Sequence, residues 1–208
     1  MQFYPERVSD SVGPQDRLTE DEQITISSTN LRGLTHPLRV KLLGLLRTGG
    51  RATATSLAAQ LQTTSGAVSY HLRQLERYGF ITEDTGHGNG RERWWRARHQ
   101  RSEYDELSQQ PADAEIARWF TDQIAAEAAR RVLAASRQWR SWPPEWRSVF
   151  SVADSLLALT PTEAKQLGRD LQAVVDGYRP HRPDEPAPAG TAVVAVQFQT
   201  FLQPVDPS

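Results

Sequence analysis

The spacing of leucines after Thr29 constrains the fold of this chain more than any other feature. Leu31, Leu34, Leu38, Leu42, Leu45 and Leu46 recur mostly at threes and fours until Gly49-Gly50 ends the run. That is the period of an amphipathic helix, not of a strand. Pro37 sits inside the run and must kink or restart the helix, because its ring removes a donor and clashes with the preceding turn. A second, short helix is predicted from about Thr55 to Leu61, with Leu57, Ala58 and Leu61 on one face. Thr63-Thr64 offers an N-cap to a third, from Ser65 to about Tyr78, which turns Val68, Leu72 and Leu75 inward and stops at Gly79.

Two strand-like segments follow, Phe80-Ile81-Thr82-Glu83 and Arg93-Trp94-Trp95-Arg96-Ala97, around the glycine-rich tip Gly86-His87-Gly88-Asn89-Gly90. Three helices and a hairpin make a winged helix. The reading divides the chain into a polar, mostly disordered arm over 1–27, a winged helix-turn-helix over 28–101 and a C-terminal module over 112–208. In the arm, Ile24 and Ile26 are the one place where a short strand could form. A polar hinge leads to a long helix at about 112–139, with Ile116, Phe120 and Ile124 as its apolar stripe, broken by Trp142-Pro143-Pro144-Glu145-Trp146. Thr160-Pro161-Thr162-Glu163 opens a further helix. Pro180, Pro183, Pro186 and Pro188 define a loop, and Thr191 to Leu202 is predicted to close the module as a strand. The fold class is mainly α (α+β): an N-terminal winged helix, a long dimerisation helix and a small α/β module.

Charge separates the same regions. Residues 28–101 hold 12 Arg and Lys against four acids, a net of +8, whereas the remaining 12 bases and 21 acids sum to −9. A basic module joined to an acidic one points to a polyanion partner for the first alone. No stretch approaches a membrane span, and Met1-Gln2-Phe3-Tyr4-Pro5 opens no secretory leader, so a cytoplasmic protein without a membrane partner is expected. The chain has no cysteine, and its five histidines (His36, His71, His87, His99, His181) are scattered, so neither a metal site nor a cofactor is expected.

The third helix carries the functional signal. Opposite its apolar face stand Gly66, Ser69, Tyr70, Arg73 and Arg77. Small residues let such a helix approach base edges, while Tyr and Arg reach bases or phosphates, and the helix N-terminus adds amide donors. A solvated amphipathic face would account for one such helix alone; the basic hairpin beside it, with Arg91 and Arg93, favours DNA.

The pieces Leu34-Thr35-His36-Pro37-Leu38-Arg39, Ser56-Leu57-Ala58-Ala59-Gln60-Leu61, Val68-Ser69-Tyr70-His71-Leu72-Arg73-Gln74-Leu75-Glu76 and Gly79-Phe80-Ile81 together resemble the ArsR-type winged-helix transcriptional regulators. The resemblance covers about residues 28–98. It implies a dimeric bacterial regulator that binds an operator and responds to an effector, with Thr64, Ser65, Gly66, Ser69, Tyr70 and the wing residues Arg91 and Arg93 on DNA. The chain departs from the family twice. Thr53-Ala54-Thr55-Ser56 stands where many members carry metal-sensing cysteines, and more than 100 residues follow the wing.

The expected partners are therefore double-stranded DNA and a second copy, the latter through Ile116, Trp119, Phe120 and Ile124 of the long helix. The C-terminal module serves either an organic effector or dimerisation alone, and a chain ending near Arg101 is expected to fold. His71, at the edge of the buried face, reads as a packed, hydrogen-bonded histidine rather than a pH-sensitive DNA contact. Two other classes compete: a winged helix that binds protein or RNA, and an enzyme. Asp154, Glu145 and Glu163 are candidate carboxylates only because they lie near the tryptophans, and capping or surface roles explain them better, so no catalytic residue is assigned.

Overall fold

Pro37 splits the first predicted helix. A short helix, α1 (Ser28–Leu31), runs into a 3-10 turn over Arg32–Leu34, and α2 (Pro37–Gly49) starts afresh with Pro37 in its first turn. No intrahelical bond is lost there, and His36 caps the helix by accepting the Leu38 amide on Nδ1 at 3.1 Å. α2 ends at Gly50, whose φ of 78° favours glycine. The structure is a computed structural model that describes residues 18–87, 92–103 and 111–203.

The next two helices follow from their caps. Thr53 accepts the Ser56 amide at 3.2 Å and opens α3 (Ala54–Leu61); Thr64 accepts the Ala67 amide at 3.3 Å and opens α4 (Ser65–Arg77). The described residues hold five strands: β1 (Gln23–Thr25), β2 (Ala52–Thr53), β3 (Ile81–Glu83), β4 (Trp94–Ala97) and β5 (Arg101–Glu103). β4 lies between β2 and β3 in an antiparallel sheet, with Ile81 opposite Ala97 and Thr53 opposite Trp94. β1 and β5 pair in parallel, Gln23 opposite Arg101.

Leu31, Leu42, Leu46, Leu57, Val68, Leu72, Leu75, Phe80 and Trp95 close one core between the helices and the sheet. The 3-10 turn over Arg32–Leu34 meets this core through Gly33 as well: a side chain there would come within 2.5 Å of Tyr78 Cβ. Strand alternation is visible in the Trp pair, with Trp95 buried and Trp94 half-buried.

The boundaries at 27 and 101 need correction. Residues 18–27 are not a disordered arm: β1 pairs with β5, and Ile26 is buried in the core. The far end extends too. The long helix α5 (Pro111–Gln138) begins where the periodicity placed it, but Ala117 and Phe120 join the winged-helix core, with Ile116 and Trp119 packed against it. A chain cut near Arg101 would lack the Ala117 and Phe120 side chains of this core. Pro180–Val193 belongs to the same unit as Leu18–Ala125. His181 Nε2 donates to the Thr48 carbonyl at 2.8 Å, Arg182 reaches Glu22 at 2.8 Å, and Asp184 accepts the Arg51 amide at 3.1 Å.

The second unit contains residues 126–179 and 194–203. After α5, a 3-10 turn over Trp139–Ser141 leads to α6 (Pro144–Arg147), where Phe150 stacks on Trp139 and meets Trp142 edge-on. Trp119, by contrast, lies on the winged-helix core and not with these rings. α7 (Pro161–Asp176) has the predicted capping box, Thr160 accepting the Glu163 amide while the Glu163 carboxylate accepts the Thr160 amide at 2.8 Å. The predicted strand over Thr191 to Leu202 is absent. Its alternating residues suit a strand, but among the described residues it has no ladder to join. No helix among the described residues is long and apolar enough to cross a membrane.

Candidate nucleic-acid interface

The outer face of α4 is an open polar surface of the winged unit. Thr64, Ser65 and Gly66 are exposed at its start, followed by Tyr70, Arg73 and Arg77, while Val68, Leu72 and Leu75 hold the opposite face in the core. A Cβ on Gly66 would meet nothing within 4 Å, so internal packing does not demand glycine there. What its absence of side chain provides is a low surface at the helix N-terminus, where free amides favour a phosphate. Ser69 departs from expectation: it is half-buried, so it presents less surface than its neighbour Tyr70. Arg73 and Arg77 form no ion pair among the described residues, which leaves both guanidinium groups free for a partner.

The wing is described up to its tip. Gly88, Asn89, Gly90 and Arg91 lie outside the described residues. Arg93 is exposed and stands 3.5 Å from Glu83 Oε2, a loose surface pair that a phosphate can displace.

At the base of the wing is a cluster that the periodicity could not reveal. Arg51 Nε lies 2.7 Å from Asp84 Oδ2, close enough for an ion pair although not aligned as a hydrogen bond. Its NH1 is 2.8 Å from His87 Nε2, and Asp184 approaches the same guanidinium at 3.5 Å. Burial raises the Asp84 pKa, but the Gly86 amide, His87 and the Arg51 charge outweigh it and hold the carboxyl below its usual range. The signal available in the sequence was an arginine directly after Gly49-Gly50; its acidic partners lie 33 and 133 positions further along the chain.

His71 is half-buried beside α2. Its ring centroid is 4.2 Å from that of His36 and 5.2 Å from that of Tyr70. Its Nδ1 is buried without a hydrogen-bond partner, so it is packed as expected but not bonded through that atom. Burial pushes its pKa down, and His36 and Arg39 push the same way; His99 is lowered by burial and then by Arg98 and Arg47. Both groups therefore resist protonation in the folded state. The unfolded chain takes up protons first as pH falls below about 6.5, so stability is held above that value and declines below it. Urea midpoints recorded between pH 8 and 5 are expected to stay level and then fall. His71→Gln is expected to flatten part of that fall; an unchanged slope would refute the role given to His71.

Two adjoining helices, the second capped, exposed and basic, stand ahead of a basic hairpin. Residues 34–84 match the helix-turn-helix domain family. They form a helix-turn-helix domain. The match spans α2 to β3, 51 of the 208 residues. No curated protein matches the chain. In the helix-turn-helix domain α4 occupies the place of the second helix, the one that such DNA-binding folds lay in the major groove. Arg93→Ala is expected to weaken binding to every duplex alike and to lower the slope of log K against log salt by about one unit. Fluorescence anisotropy over a salt series would measure it, and a loss confined to one sequence would contradict the assignment.

Proposed function

We propose that this protein is a transcriptional regulator of the ArsR type that binds a palindromic operator as a homodimer. The observation that carries the reading is the outer face of α4: an exposed N-terminus, Gly66 with open space around it, Tyr70, and two arginines without ionic partners among the described residues. In this reading Thr64, Ser65 and Gly66 meet the backbone at the groove edge, Tyr70, Arg73, Arg77 and the accessible part of Ser69 reach bases or adjacent phosphates, and Arg91 and Arg93 of the wing hold the flanking backbone. The net charge of +8 over residues 28–101 supplies the attraction, and the acidic remainder stays off the phosphates.

One α4 reads only a few base pairs, so a second copy one helical turn away, ~34 Å, gives the affinity that regulation needs. The C-terminal region supplies dimerisation and, where an effector acts, takes an organic one. Selection from random duplexes followed by footprinting tests the whole reading. An enriched site with two inverted half-sites is expected. Enrichment of a single asymmetric site would remove the dimer, and no enrichment at all would remove sequence-specific DNA binding.

A further inference from the structure

The second unit lacks an interior of its own. After Phe120 no described residue is buried. Its two segments without helix, 149–159 and 194–202, expose Val149, Val152, Leu156, Leu157 and Leu159 on one and Val194, Val196, Phe198, Phe201 and Leu202 on the other, from 40% for Phe198 to 94% for Leu202. Brought together, these ten side chains would amount to on the order of 1,000 Å² of apolar surface, enough for the ~800 Å² per partner of a standard interface.

The backbone points the same way. Apart from the Val149 amide, which turns back to Trp146, residues 149–159 and 194–202 make no backbone–backbone hydrogen bond among the described residues. Segments with such composition, left bare, are edges ready for strand pairing, and exposed natural edges carry charges to prevent it. Here Asp154 is the only charged residue in the two segments. Two copies of this surface therefore meet without like-charge repulsion, and an oppositely charged partner would find nothing to bind. Val194, Val196 and Phe198 alternate with Ala195 and Gln197, which puts one apolar row on one face once the segment is paired.

We infer that segments 149–159 and 194–202 form a β-sheet shared between two copies of this chain, each copy completing the hydrophobic interior that the other lacks. The inference rests on the homodimer reading and specifies its surface: the C-terminal segments, not the inner stripe of α5.

Hydrogen exchange on the full chain, at concentrations above and below its dimer dissociation constant from sedimentation, tests this. The expected result is a dimer in which amides of both segments exchange at least tenfold more slowly than in the dilute monomer. Val196→Lys and, separately, Val152→Lys are expected to weaken dimerisation at least a hundredfold while the winged unit keeps its own unfolding transition. A dimer whose segments exchange freely would overturn the shared sheet and leave the homodimer standing. Equal protection in dilute monomer would place the pairing within one chain and also overturn it. A chain that is monomeric at every concentration would overturn both readings.

Discussion

Phe120→Ala is expected to destabilise the winged unit by about 3 kcal/mol, the usual cost of removing a buried phenyl ring and leaving a cavity. Phe120 is 5% exposed and shares one core with Leu31, Leu42 and Phe80, although it lies 36 positions beyond the helix-turn-helix match. Sequence reasoning placed it in a dimer interface together with Ile116, Trp119 and Ile124. Of these four only Ile124 is exposed, while Ile116 and Trp119 are half-covered by the same core. The two roles have different thermodynamic signatures. Loss from an intrachain core lowers the unfolding midpoint equally at all protein concentrations, whereas loss from an interface shifts it more when the protein is dilute. Denaturant curves at concentrations a hundredfold apart distinguish them, and a concentration-dependent shift would return Phe120 to the interface.

The second large effect falls on recognition. Tyr70→Ala and Arg73→Ala are each expected to cost about 2 kcal/mol on the selected duplex, roughly a 30-fold loss, because in the proposed reading each removes a contact that discriminates among bases. Neither should disturb the fold: Tyr70 is 57% exposed and Arg73 projects from the same side of α4. On random duplex Tyr70→Ala should be nearly silent, and Arg73→Ala should lose only the contribution of one charge. Binding measured against both duplexes decides the matter, since equal proportional losses would reduce both residues to positioning.

What could be read in advance was what local chemistry encodes. Leu38, Leu42, Leu45 and Leu46 announced α2, Thr64 announced the start of α4, and Thr160 with Glu163 announced α7, because capping and helical period act within a few residues. β2 escaped notice because two residues carry no period, and the β1–β5 pair because its partners stand 78 positions apart. The stripe on α5 was recognised, but not the winged-helix core that Ala117 and Phe120 join. Periodicity shows that a face is apolar, not what covers it. The segment 191–202 failed for a related reason: alternation describes a residue pattern, whereas a strand also needs a second backbone, and none lies alongside within the described residues. The outer face of α4 was legible because a polar stripe opposite a core stripe follows from the wheel; the environment of Arg51 was not, since it is assembled from three distant parts of the chain.

That assembly sets an order of events during synthesis. Arg51 can meet Asp84 almost as soon as the wing is made, but Asp184 emerges 100 residues after Asp84. At a translation rate of about 5–20 residues per second, the interval is roughly 5–20 s, long beside the time in which a small domain folds. Glu22 waits longer still for Arg182, 160 positions away. The helices and wing can therefore collapse while Thr48, Glu22 and the Arg51 amide still face water, and the nascent basic surface precedes the acidic strap that docks beside it.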